Sequence, residues 1–265
     1  MTKKTWALAL ALCVSGALAP NAVASDHDDM SAKAKTDLAT TYGPRDIANL
    51  YTWVDSDSLI TNSPKRAFMI LTVYPNAPKA TAAFDTNTLY TFHTIAKDKF
   101  ADSSDTPTLE ITCAFGAGSS VSAQKFECWG GADEYVAGTG SATPSAGTSQ
   151  SDSGKLRVWA GIANDPTYHN RAALNQTLTT IKGSLAGWGR DAGGCVTSGL
   201  PAATATAIRT GLAGATDTYL GQNVLVIAVS ADIDYLTVKR DPVTKADKKL
   251  PLLGVWASTK KRIPQ

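Results

Sequence analysis

Two segments, Leu109-Glu110-Ile111-Thr112-Cys113-Ala114-Phe115 and Gln124-Lys125-Phe126-Glu127-Cys128-Trp129, constrain this chain more than any other part of it. A Gly- and Ser-rich loop joins them, and two strand-like segments joined this way read as a β-hairpin. One antiparallel register sets Cys113 opposite Cys128 and Phe115 opposite Phe126, with all four on one face. In an oxidising compartment that register closes a disulfide between Cys113 and Cys128. For a loop of about 15 residues the chain-entropy contribution is about 3 kcal/mol.

The rest of the chain supplies strands to surround this hairpin. Arg45 to Val54 reads as a strand with Ile47, Tyr51 and Trp53 on one face, although Leu50 and Val54 give the other face apolar character too, and Ala67 to Tyr74 is apolar enough for a central strand. Leu89 to Ile95 places Tyr90 and Phe92 on one face and His93 on the other, where a half-exposed histidine is expected. Lys155 to Gly161 and Gln222 to Ser230 continue the pattern. Tyr235 to Val238 and Leu252 to Ala257 flank a basic loop and are expected to pair as a closing hairpin. Between these strands, Asp165 as N-cap and Pro166 at the first helical position start a helix. Its stripe of Leu174, Leu178, Ile181 and Leu185 is expected to face the sheet. Pro201 to Gly214 reads as a second, weaker helix. About nine strands with one or two inserted helices predict a mainly β fold, an antiparallel β-sandwich.

Residues 1–24 have the form of a secretory signal peptide: Lys3 and Lys4, an apolar run from Trp6 to about Ala19, then Ala22-Val23-Ala24. That run is too short to span a bilayer, and no later segment is apolar enough, so no integral membrane segment is expected after signal removal. The expected destination is the periplasm or the extracellular medium. Residues 25–265 are expected to form a single β-sandwich domain with an exposed Gly/Ser-rich loop near 130–154. Without Lys3 and Lys4 the chain has 23 basic and 23 acidic side chains, which offers no bulk electrostatic reason to bind nucleic acid. Basic residues gather late in the chain, from Lys239 and Arg240 to Lys260, Lys261 and Arg262, and read as a solvated face.

Linear catalytic motifs are missing: there is no G-x-S-x-G, no Walker lysine loop, no H-E-x-x-H and no C-x-x-C. Asp55-Ser56-Asp57 opens like a calcium loop, but Ile60 and Arg66 stand where glycine and a bidentate acid are needed. Gly187-Trp188-Gly189-Arg190-Asp191-Ala192 follows a helix instead of a strand, the wrong context for dinucleotide binding. Cys195 has no obvious partner and is expected to be buried. One metal site is expected if cleavage follows Ala24. The new amine of Ser25, the amides of Asp26 and His27 and the His27 imidazole would then offer Cu(II) or Ni(II) a square-planar set. A secondary polar cluster is expected at Asp165, His169 and Asn170 near the helix start.

Several stretches together resemble the family of exported bacterial proteins termed domain of unknown function (DUF) 4331. They are Ser25-Asp26-His27, Asp46-Ile47-Ala48-Asn49-Leu50-Tyr51-Thr52-Trp53, Leu89-Tyr90-Thr91-Phe92, Ala160-Gly161-Ile162-Ala163-Asn164-Asp165-Pro166, Asp217 to Val224, and Leu253-Gly254-Val255-Trp256-Ala257. Where family members often continue Arg-Glu-Ala-Pro after the histidine, this chain has Asp28-Asp29-Met30. The resemblance implies an exported protein without an established activity. The leading expectation is a non-enzymatic protein that binds an unknown protein or small ligand. One alternative is a structural or surface-interaction module. Another is a metal-dependent hydrolase built on Asp46, Asp165 and His169.

Overall fold

Alternation of apolar side chains decides the layering. The computed structural model describes residues 43–55, 65–101, 109–144, 146–184, 188–189, 191–192, 197, 201–213, 216–240 and 246–262. The signal segment, Ser25, Asp26, His27, Leu185 and Cys195 lie outside these residues. In chain order the strands are β1 (Ile47–Val54), β2 (Arg66–Val73), β3 (Thr88–Lys97), β4 (Leu109–Phe115), β5 (Lys125–Gly130) and β6 (Glu134–Thr139). They continue with β7 (Ser149–Gln150), β8 (Leu156–Asn164), β9 (Asn223–Asp232), β10 (Val238–Arg240), β11 (Asp247–Lys249) and β12 (Leu252–Lys261). The helices are α1 (Arg171–Ser184), α2 (Ala202–Leu212) and the single turn α3 (Ile233–Thr237).

The described residues form two compact units, one spanning Pro166–Leu220 and the other holding the described residues up to Asp165 together with those from Gly221 onwards. The larger unit is an antiparallel sandwich. Its first sheet has the order β1-β2-β9-β8-β7 and its second the order β12-β3-β4-β5-β6. Met69, Leu71, Ile227, Val229, Leu156 and Val158 of the first sheet share one core with Tyr90, Phe92, Ile111 and Phe126 of the second. Fully burying one such side chain contributes about 1.5–3 kcal/mol. Gln124 is buried too, yet satisfied: Oε1 accepts from the Phe84 amide (2.7 Å), and Nε2 donates to the carbonyls of Phe84 (2.8 Å) and Gly116 (2.9 Å).

The hairpin register holds. Cys113 faces Cys128 and Phe115 faces Phe126, the disulfide is formed, and all four side chains are buried. Elsewhere the structure differs from the sequence expectations for identifiable reasons. A bulge at Ala48 changes parity in β1, because Ile47 pairs with Val73 while Asn49 already pairs with Thr72. Ile47 and Leu50 therefore both pack on the core, whereas Tyr51 and Trp53 turn to the opposite face. Trp53 stacks there on Phe68, centroids 5.2 Å apart.

Residues 130–154 are not one exposed loop, since they contain β6 and β7 with Val136 buried. Their small residues permit contact instead of preventing burial: a Cβ on Gly140 would lie 2.2 Å from the Val121 carbonyl oxygen. The expected closing hairpin does not form. Asp232 Oδ1 accepts from the Asp234 amide (2.9 Å) and starts a helical turn through Tyr235. Val238 onward pairs with β11, while β12 pairs along its length with β3.

In the smaller unit, α1 starts at Arg171, later than expected. Asn170 is its cap, with Oδ1 accepting from the Ala173 amide (3.0 Å). The Asp165 amide instead donates to the Gln222 carbonyl (2.9 Å), extending the β8–β9 ladder. The expected apolar stripe does not serve as a core face: Leu178 is exposed and Ala173 is the residue α1 buries. The neighbour of α1 is α2.

Candidate functional site on the outer face of the second sheet

Strand pairing carries one continuous row of side chains across all five strands of the second sheet. Ser258 stands opposite Thr91, Thr91 opposite Thr112, Thr112 opposite Trp129, and Trp129 opposite Tyr135. The adjacent row is Trp256, His93 and Glu110. These positions alternate with the core residues Tyr90, Phe92, Ile111, Cys113 and Cys128, so they occupy the face turned away from the core.

His93 is the centre of this face, and it is buried at 5% exposure instead of half-exposed. The Trp256 indole covers it, with ring centroids 5.1 Å apart and planes within 11°. Both ring nitrogens have side-chain partners: Nδ1 lies 2.9 Å from Glu110 Oε1, and Nε2 lies 2.8 Å from Ser258 Oγ. A carboxylate can only accept, so Nδ1 carries the proton. In the neutral ring Nε2 is then the acceptor and the Ser258 hydroxyl its donor. Thr91 and Thr112 share a hydrogen bond at 3.1 Å beside this chain.

Aromatic rings flank the polar centre. Trp256 is 39% exposed at one side; Trp129, also 39%, and Tyr135, 48%, stand at the other. Trp129 and Tyr135 are a cross-strand pair with centroids 6.0 Å apart, and Tyr135 Oη donates to Glu127 Oε1 at 2.8 Å. That acceptor, with lesser contributions from burial and the Glu127 charge, holds the Tyr135 phenol above its ordinary pKa. From β12 to β5 is three ladder steps of about 4.8 Å each, so the two tryptophan-bearing strands lie about 14 Å apart.

No protein-family model, curated protein or solved structure matches this chain.

The residues singled out from sequence are distributed differently. Asp46 and Asp165 belong to the sandwich unit, while His169 and Asn170 belong to the helical unit. Asn170 is occupied in capping α1. The His169 amide donates to Asp217 Oδ1 (3.3 Å), and its carbonyl accepts from the Thr218 amide (2.8 Å). Among the described residues no group of three or more His, Cys, Asp or Glu side chains is placed to hold a metal ion, and no helix is long and apolar enough to cross a membrane. Glu110, Trp129, Tyr135, Trp256 and Ser258 were not distinguished by the sequence reading. They come from four strands, and their alignment with His93 on one face of the sheet is a property of register, which no local motif encodes.

Proposed function

We propose that this chain is an exported binding protein whose ligand lies on the outer face of the second sheet, and that the ligand is a carbohydrate. The observation that carries this reading is the pair of half-exposed aromatic stations, Trp256 on one side and Trp129 with Tyr135 on the other, separated by a hydrogen-bonding centre. A sugar ring has an apolar C–H face that stacks on an indole or phenol ring and a rim of hydroxyls that needs donors and acceptors. Trp and Tyr present large area at low rotamer cost. Thr112, Ser258, Glu110 and Glu127 supply the polar complement.

The proposal retains the export address, the kinship with the DUF 4331 family and a Cu(II) or Ni(II) site at Ser25, Asp26 and His27 after cleavage at Ala24. Mass spectrometry of the secreted chain tests the address, with Ser25 expected as its first residue. Calorimetric titration with Cu(II), set against His27→Ala, tests the metal site. The carbohydrate reading is tested by electrophoresis through gels containing dextran, xylan or a soluble β-glucan. Retardation by at least one of these is expected. Trp256→Ala and Trp129→Ala should each weaken affinity about tenfold, the scale of a residue contributing about 1.4 kcal/mol. Migration unchanged in every polysaccharide would overturn the reading.

A further inference from the structure

We propose that Ser258, His93 and Glu110 form a nucleophile, base and orienter that hydrolyse carboxylic esters. A catalytic relay of this kind is recognised by mutual position and role, not by order in the chain. Here the hydroxyl oxygen of Ser258 is 2.8 Å from His93 Nε2, and His93 Nδ1 is 2.9 Å from Glu110 Oε1. Both distances suit proton transfer in a nucleophile–base–orienter chain. The tautomer forced by the carboxylate is the productive one, because it leaves Nε2 free of a proton and facing the serine.

The rigidity of the arrangement comes from the sheet. His93 and Glu110 are directly opposite in the β3–β4 ladder. Trp256 is directly opposite His93 in the β3–β12 ladder and fixes the imidazole plane from above. Ser258, two residues further along β12, approaches the ring diagonally. Thr91, directly opposite Ser258 in the β3–β12 ladder, is itself held by the hydrogen bond it shares with Thr112.

In the reaction, Ser258 Oγ forms a bond to the acyl carbon while its proton passes to Nε2. The bond from acyl carbon to the alkoxy oxygen breaks, and that oxygen takes the proton from Nε2. Water then adds to the acyl carbon, giving its proton to Nε2; the bond to Oγ breaks and Oγ is reprotonated, releasing a carboxylic acid. Glu110 accepts from Nδ1 throughout and favours the imidazolium that forms; it is a positioning residue. That the ester is carried on a sugar rests on the binding reading above, while the relay itself does not.

The test is labelling of the full chain with a biotinylated fluorophosphonate, adduct mapping by mass spectrometry, and hydrolysis of p-nitrophenyl acetate. A single adduct on Ser258 is expected, together with ester turnover that Ser258→Ala abolishes. His93→Gln should slow both by about 100-fold or more, the range of general-base catalysis. Glu110→Gln should lower kcat with KM unchanged. Labelling of the unaltered chain requires no variant to fold, and circular dichroism monitors the variants. Absence of an adduct on Ser258 overturns the relay, as does labelling undiminished in folded His93→Gln. Labelling without polysaccharide retention leaves the relay standing and removes the sugar; retention without labelling does the reverse.

Discussion

Glu134 shows how a single buried carboxylate is held in this sandwich. Its side chain is 2% exposed, and Ser153 Oγ lies 2.7 and 2.6 Å from its two oxygens. Burial alone would raise its pKa, but hydrogen bonds from Ser151 and Ser153 and the Lys155 ammonium outweigh burial and hold it below the ordinary value. A depressed carboxylate stabilises the fold above its unfolded pKa and loses that contribution as pH falls through the folded value. The melting temperature of the wild type should therefore drop on acidification below about pH 4.5. Glu134→Gln should be less stable at neutral pH by about 1–3 kcal/mol and show a shallower acid decline. Thermal melts from pH 3 to 7 compare the two. Asp85 is depressed as well, by the Asn87 amide, Arg45 and Thr88 working against burial, and remains in both proteins. Gly161 offers a second residue-level test. A Cβ there would meet the Ser141 carbonyl oxygen at 2.2 Å and the Trp159 ring at 2.3 Å. Ser141 is fixed there by backbone bonds from its amide to Ala160 and from the Ile162 amide to its carbonyl. Gly161→Ala should thus destabilise by about 1–3 kcal/mol in a denaturant melt, as overpacking does.

Individual elements were legible from sequence where pairing and burial agreed with local pattern. The disulfide hairpin is the clearest case, because mirrored Cys and Phe positions fix a register without outside information. Reducing it should lower the melting temperature by about 6–12 °C, from a chain-entropy contribution of about 3 kcal/mol; calorimetry with and without a phosphine reductant measures this. β2 and β9 were also legible, since their apolar runs match central places in the first sheet. What was not legible has a physical cause in each instance. The bulge at Ala48 inverts the faces of β1 without any Gly or Pro to announce it. The cap at Asp232 converts an apolar strand-like run into α3, whose Leu236 is fully buried. The faces of β3 were readable as alternation. The meeting of His93, Glu110 and Ser258 was not, because it depends on which strands become neighbours.

At the scale of the whole molecule the two units differ in how much they bury. The sandwich has a contiguous core of fully excluded side chains, whereas Ala173 and Thr204 are what α1 and α2 bury. Local opening should follow that difference. Hydrogen exchange is expected to be slowest in β2 and β9 and faster by orders of magnitude in α1 and α2; equal protection would mean that the helical unit shares the sandwich's cooperativity. The position of β12 has a further consequence. His93 and Ser258 are 165 residues apart in the chain, and they meet only when β12 closes the edge of the second sheet. Pairings of such long range are slow, because the loop entropy is lost before the contact is gained. A partly folded chain, whether newly made or locally unzipped at this edge, therefore has an ordinary serine hydroxyl at position 258. Chemical reactivity at that one oxygen would report completed folding of the sheet as directly as any structural probe.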